Sequence, residues 1–334
     1  MTSIVLVGEA WGKDEAEAKR PFVGASGQLL DSMLNAAGLK RAECHITNVF
    51  NFRPEKNDLL TLCGPKYPGC PPAIRPGKYL LPEHAGNLDM LQHEIRALAP
   101  NVVVCLGATP TWAALQRTIK ISEIRGTAMW SDFFNCKIVP TFHPAAVLRQ
   151  WNFRPTVIMD LMKAARESKS KALDFLDREI WIEPELADLY RFEALYINAA
   201  SKITIDIETP SGQIDCVGFA TDKLHAIVVP FVDKRKPNNS YWPTESHETA
   251  AWNWVRKICR NPLPKCGQNF LYDIQWLWRK MGITINNFRH DTMLKSHALY
   301  PELPKSLGFL GSIYCNERAW KLLGKYRTED KRDE

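Results

Sequence analysis

Two α/β units, each built around a largely parallel sheet, are what this 334-residue sequence predicts. Three observations carry the prediction. Apolar runs at Ser3–Val7 and Val102–Leu106 have the unbroken pattern of strands buried on both faces, and each opens into glycine. Helix-period segments alternate with them. A fresh strand-like run, Ile203–Thr209, then starts a second series after a charged stretch. The length suffices for two cores.

In order along the first half, Ser3–Val7 reads as a strand and breaks into Gly8-Glu9-Ala10-Trp11-Gly12. That places Glu9 at the C-terminal edge of a parallel sheet, where ligand sites of open α/β folds form. Pro21–Gly27 is a second glycine-rich loop, whose Phe22 can lie against a planar ring. A carboxylate, a flat aromatic and close-approach glycines suit a nucleobase pocket. Gly27–Ala37 is an amphipathic helix with Leu29, Leu30, Met33 and Leu34 on one face, and Cys44–Val49 is a short strand. Arg53–Pro82 is a long loop rich in Pro and Gly. Leu88–Leu98 is a helix, Val102–Leu106 a strand, Thr109–Gln116 a helix and Lys137–Pro140 a strand. The first domain is expected over residues 1–166.

Residues 167–200 are charged and helical in pattern, and predict a helical linker. The second domain, 201–334, opens on the strand Ile203–Thr209. Cys216–Ala220 and His225–Pro230 form a hairpin, and 247–260 and 270–281 are helices. From Lys325 the tail is nearly all charged or polar.

The net charge of +6 and pI near 8.8 are mildly basic, with the excess in the first half, which suits a nucleic-acid partner without demanding one. No apolar run is long enough for a membrane span and no signal-peptide pattern opens the chain, so a cytoplasmic protein without a membrane partner is expected. Nine scattered cysteines read as free thiols.

Five ordered motifs make the first half resemble the uracil-DNA glycosylase superfamily, most closely its family 4. Gly8-Glu9-Ala10-Trp11-Gly12-Lys13-Asp14-Glu15 is similar to GEAPGxxE, and Arg20–Asp31 to RPFVGxAGxLLD. Thr47-Asn48-Val49 with Arg53-Pro54 is similar to TNVxxxRP, Val103–Gly107 to an apolar strand, and His143-Pro144 to the HPS motif. The resemblance implies a flipped-out base in a snug pocket. Phe22 would stack on uracil and Asn48 would meet its N3 and O4 edge, an amide offering both donor and acceptor. His143 would face O2, where negative charge develops. Glu9 would position water or support the sugar cation, with Glu15 the second candidate. Leu148 would wedge into the vacated stack and Arg149 meet phosphate.

Three departures from the family pattern shape the expectation. The N-terminal CxxC of family 4 has no counterpart, and its two later cluster cysteines fall at Phe52 and in Asn87–Leu91. No iron–sulfur cluster is therefore expected. Cys63, Cys70 and His84 are an alternative small metal site whose spacing is not a zinc motif. Trp11 stands where the family has proline. Its indole would block uracil, alter base choice or add stacking.

From Ile203 the chain resembles the 3′–5′ exonuclease domain of family A DNA polymerases, which implies an RNase H-like fold. Asp206-Ile207-Glu208-Thr209 is similar to DxET, Gly267–Asp273 to GQNxxYD, Asp291–Leu294 to a structural DTML segment, and Tyr326–Asp330 to YxxxD. Asp206 and Glu208, two apart on a strand, share a face. Two acids flanked by Ile on a buried strand are costly without metal or partner. The resemblance makes Asp206, Glu208, Asp273 and Asp330 ligands for two Mg²⁺ or Mn²⁺ ions, with Tyr326 orienting water.

The expectation is a DNA repair or replication enzyme that releases uracil or a related base and trims 3′ ends, with DNA, single-stranded or at 3′ ends, as its partner. By resemblance it suggests a bacteriophage gene acting in the host cytoplasm beside a separate polymerase. The rival reading is a base-binding module that tethers the nuclease without cleaving bases.

Overall fold

The computed structural model describes residues 3–315 and residue 317. It divides into two compact units: one runs to Phe175 and resumes at Gly308, and the other is Leu176–Leu307. Tyr326 and Asp330 lie outside the described residues.

The first unit is a five-stranded sheet. Its strands are β1 (Ile4–Ala10), β2 (Cys44–Phe50), β5 (Val102–Leu106), β6 (Met129–Ser131) and β7 (Cys136–Thr141), in the order β2-β1-β5-β7-β6. Between β2 and β5 lies a two-stranded hairpin of β3 (Cys63–Gly64) and β4 (Tyr79–Leu80). All neighbours in the large sheet are parallel except the edge strand β6, which the sequence did not announce. Helices α1 (Lys13–Ala18), α2 (Ala25–Ala36), α3 (Pro82–Leu98), α4 (Ala108–Leu115), α5 (Ile121–Ile124), α6 (Pro144–Arg149) and α7 (Arg154–Glu167) connect the strands. The apolar runs of β1 and β5 follow from burial on both faces. Val5 and Val7 join one core cluster, Ile4 and Leu6 the other. The expected helices start earlier than the apolar pattern, because polar first turns precede the packed face. In α3 Pro82 sits in the first turn, where its missing N–H costs no helical bond.

The Arg53–Pro82 loop is anchored rather than open. Leu59, Leu62, Ile74 and Leu80 are buried in the core, and Trp112 Nε1 donates to Pro72 O at 2.9 Å.

The second unit carries a six-stranded sheet of β8 (Glu179–Trp181), β9 (Ile203–Glu208), β10 (Cys216–Ala220), β11 (His225–Pro230), β12 (Lys265–Gly267) and β13 (Phe288–Asp291). The order is β13-β12-β9-β10-β11-β8. Three antiparallel strands, β9 to β11, are extended on the far side of β9 by two parallel ones. This is the RNase H-like arrangement. Helices α8 (Leu186–Phe192), α9 (Glu245–Arg260), α10 (Leu271–Met281) and α11 (Thr292–Leu299) complete it, and α12 (Leu307–Tyr314) begins at the unit boundary.

Two expectations need correction. Residues 167–200 are not a helical linker: β8 pairs with β11, and Leu189, Phe192 and Ile197 enter the core of the second unit. The surrounding charge hid an apolar face that only packing reveals. The second domain accordingly begins at Leu176, not 201, and the segment Gly308–Cys315 belongs to the first unit.

Candidate functional site

Gly8, the last buried residue of β1, lies opposite Asn48 of β2 in the parallel ladder. A side chain at Gly8 would place its Cβ 2.2 Å from Asn48 Oδ1 and 2.6 Å from the Phe22 ring, so three motifs meet at one point. Only a glycine allows that approach. Phe22 is buried and holds φ 54°, a left-handed backbone uncommon outside glycine. Backbone strain of this kind gathers at ligand clamps. Asn48 is 2 % exposed, and among the described residues no side-chain hydrogen bond holds its amide, which is not one of the polar atoms sealed from solvent. The amide edge is thus open to a ligand that can use both its donor and its acceptor.

The His143 ring faces Phe22 with centroids 5.6 Å apart and planes tilted by 30°. His143 caps α6, and its Nδ1 accepts the Ala145 amide at 3.1 Å. Burial and the nearby Arg149 charge lower its pKa to about 4. The neutral ring with an accepting Nδ1 must carry its proton on Nε2, so it presents an N–H donor. Behind it Gly107, at φ 107°, leaves room that a side chain would narrow: a Cβ there would meet His143 Cβ at 3.2 Å.

The two candidate carboxylates have different places. Glu15 is buried, and its oxygens accept the amides of Gly12, Val23 and Gly24, each at 3.1 Å. It ties the two glycine-rich loops together, which corrects its reading as a water-positioning acid. Glu9 accepts one bond, from Thr109 Oγ1, and stays half-buried. Trp11 is held by its backbone N–H to Phe52 O at 3.1 Å, and its indole N–H is buried without a partner. Leu148 and Arg149 lie exposed at the end of α6. Beside them stands a residue that motif reading missed: Trp151, 62 % exposed, with the Arg154 guanidinium 5.5 Å from its ring centre.

The iron–sulfur cluster implied by the family 4 resemblance does not fit these residues. Phe52 stacks on His84 at 5.7 Å and meets Phe50 edge-on, so apolar rings occupy the position of a thiolate. All nine cysteines are free thiols. Among the described residues no three His, Cys, Asp or Glu side chains gather closely enough to hold a metal ion.

In the second unit Asp206 and Glu208 share one face of β9, alternating with buried isoleucines and open to solvent, with Asp206 partly desolvated. Asp273 is the buried member, 3 % exposed in the first turn of α10. Its Oδ1 accepts the Ile207 amide at 2.9 Å, between the two strand acids. Burial, then the Asp206 charge, raises its pKa to about 7; burial and Glu208 raise that of Asp206. These oxygens suit a hard divalent cation, although as placed they do not close a cage. Asp291 plays the structural part expected of it: it accepts the amides of Asn269, Phe270, Met293 and Leu294 and so fixes the turn that precedes Asp273. Thr209 and Tyr272, within the motifs but unassigned, join hydroxyl to hydroxyl at 2.6 Å.

Comparison with known proteins agrees with the first unit. The family model "Uracil DNA glycosylase superfamily" matches residues 1–167. A type-4 uracil-DNA glycosylase of Thermotoga maritima is 33% identical over 167 residues, covering 49% of this chain and 76% of that protein. One from Archaeoglobus fulgidus is 34% identical over 166 residues, covering 48% and 74%. Among solved structures, the catalytic core of RRP6 from Trypanosoma brucei matches with TM-score 0.33 and 17% identity over 43% of this chain and 37% of that one. Escherichia coli RNase D, an exoribonuclease, matches with TM-score 0.29 and 16% identity, covering 42% and 33%. At such scores the likeness adds nothing to the strand order described above. The matched family spans the residues that bring Phe22, Asn48 and His143 together, and this chain belongs to the uracil-DNA glycosylase superfamily.

Proposed function

We propose that the first unit releases uracil from DNA by hydrolysing its N-glycosidic bond. The observation that carries this is the convergence of the Asn48 amide, free of side-chain partners among the described residues, and the Phe22 ring at Gly8. An extruded uracil stacks on Phe22 and takes both donor and acceptor from Asn48. As the C1′–N1 bond breaks, its electron pair passes to the uracil ring. The Nε2–H of His143 stabilises the charge at O2, already neutral and needing no proton of its own. Water adds to C1′ and gives a proton to Glu9. Leu148 and Arg149 hold the opened strand.

The second unit, in the same reading, hydrolyses 3′-terminal phosphodiesters. Asp206, Glu208 and Asp273 would hold Mg²⁺ or Mn²⁺, which when bound lowers the pKa of water and neutralises the leaving oxygen. The Ile207 amide keeps Asp273 aimed between the strand acids. DNA is then the substrate of both units, and a separate polymerase would be a natural partner. The Trp11 indole, buried without a partner where relatives carry proline, favours a second reading in which the pocket binds a base without cleaving it.

Incubation with uracil-containing single-stranded DNA, without and with Mn²⁺, tests both halves. Abasic product without metal, and 3′ shortening only with it, are expected. Tight binding with no abasic product would replace the glycosylase reading by the base-binding one.

A further inference from the structure

Residues from Gly308 return to the first unit and dock on buried charges away from the base pocket. Arg125, Asp160 and Lys163 are all fully enclosed. Asp160 takes both ends of the Arg125 guanidinium, Nε at 3.0 Å and Nη2, and accepts Thr141 Oγ1 at 2.7 Å. One carboxylate thus faces two cations. The Lys163 ammonium is completed by neutral oxygens instead: Gly126 O at 2.8 Å, Ser312 O, and Cys315 O at 2.8 Å. Two of these three acceptors come from the returning segment. That segment also gives Arg125 Nη1 its acceptor, Ser312 Oγ at 3.0 Å, and places the Phe309 ring 5.0 Å from the guanidinium. Without it a buried ammonium keeps a single partner, a state strongly disfavoured in a protein interior.

The same cluster reaches the base pocket. Thr141 ends β7, two residues before His143. Its hydroxyl is held by Asp160, and its carbonyl accepts the Gly107 amide at 2.8 Å, the glycine that packs against His143. A shift of Asp160 therefore moves the strand end that carries the His143 ring.

We propose that Arg125, Asp160 and Lys163 are positioning residues through which the docked segment Gly308–Cys315 sets the place of His143 in the base pocket. The inference rests on the reading of His143 as the pocket's donor. In the full chain, Ser312→Pro breaks the docked helix and Lys163→Met removes its anchor. Both are expected to displace the His143 ring resonances in NMR spectra. Both are expected to lower kcat for uracil release about tenfold with KM little changed, the mark of a misplaced group rather than lost binding. Lys163→Arg restores part of the rate. Metal-dependent trimming of uracil-free DNA stays at the parental rate in Ser312→Pro. Parental kcat and parental His143 resonances in both folded variants overturn the proposal. Should the parent release no uracil, the functional reading fails separately, and the resonances alone decide: unmoved, they overturn the coupling. Should Lys163→Met not fold, Ser312→Pro, which leaves Arg125, Asp160 and Lys163 themselves unchanged, decides.

Discussion

His143→Asn separates the cap from the ionisable ring. The Asn side chain keeps an acceptor for the Ala145 amide, so the start of α6 is preserved. It removes the Nε2–H donor and the titration. In the folded chain the His143 pKa falls from 6.5 to about 4. The unfolded chain therefore binds the proton more readily, and stability is lost as pH falls through that window. From the two values, the ring costs about 2 kcal/mol between pH 7 and about pH 5, and about 3 kcal/mol once the window is passed. Urea unfolding of both proteins at the two pH values measures it, since every other titrating group cancels in the difference. Wild type is expected to lose about 2 kcal/mol more than the Asn variant over this range. Uracil release by the variant at neutral pH is expected to fall by about two to three orders of magnitude, as for loss of one oxyanion donor. Equal pH sensitivity of the two proteins would show that the ring is solvated, and would refute the neutral-donor assignment.

Asn48→Ala removes the uracil edge contacts but leaves the stacking ring. Uracil release is expected to drop about a hundredfold or more while DNA affinity changes little, read by single-turnover kinetics and anisotropy. Gly8→Ala drives a methyl into Asn48 Oδ1 and the Phe22 ring. It is expected to cost about 1–3 kcal/mol of stability and to abolish base binding, measured by denaturation and by uracil inhibition. Asp273 must shed a proton to bind a cation, and its pKa stands near 7. Mn²⁺ affinity should climb as pH rises through neutrality and level off above it, and Asp273→Asn should remove that dependence in calorimetry. Without metal the raised pKa has the opposite effect on folding. The folded state holds the proton longer, so stability falls as pH rises from the ordinary carboxylate value of 3.8 towards 7, and added Mn²⁺ restores it.

Much of the first unit is readable without coordinates. The runs at β1 and β5 are buried on both faces and say so in their composition. Phe22, Asn48 and His143 stand in separate motifs whose residue types already match a planar, polar-edged ligand. The acids of β9 show their shared face by a spacing of two. Other features leave no local trace. Glu9 and Glu15 stand in one motif as first and second candidates, and nothing local shows that Glu15 is saturated by three amides while Glu9 accepts a single bond. Leu189 and Phe192 lie in a charged stretch, and only the sheet beneath them shows that they are core.

What the sequence determined alone is therefore the principal strands and helices of each unit and the residue types offered to the pocket, because periodicity, glycine placement and side-chain type act over a few neighbouring residues. Tertiary structure decided which nitrogen of His143 carries the proton, which carboxylate is free, where the second unit begins, and that the segment from Gly308 returns to complete Lys163. Each of these depends on hydrogen bonds or burial between residues far apart in the chain, and desolvation is a property of the place a group occupies rather than of its neighbours in sequence.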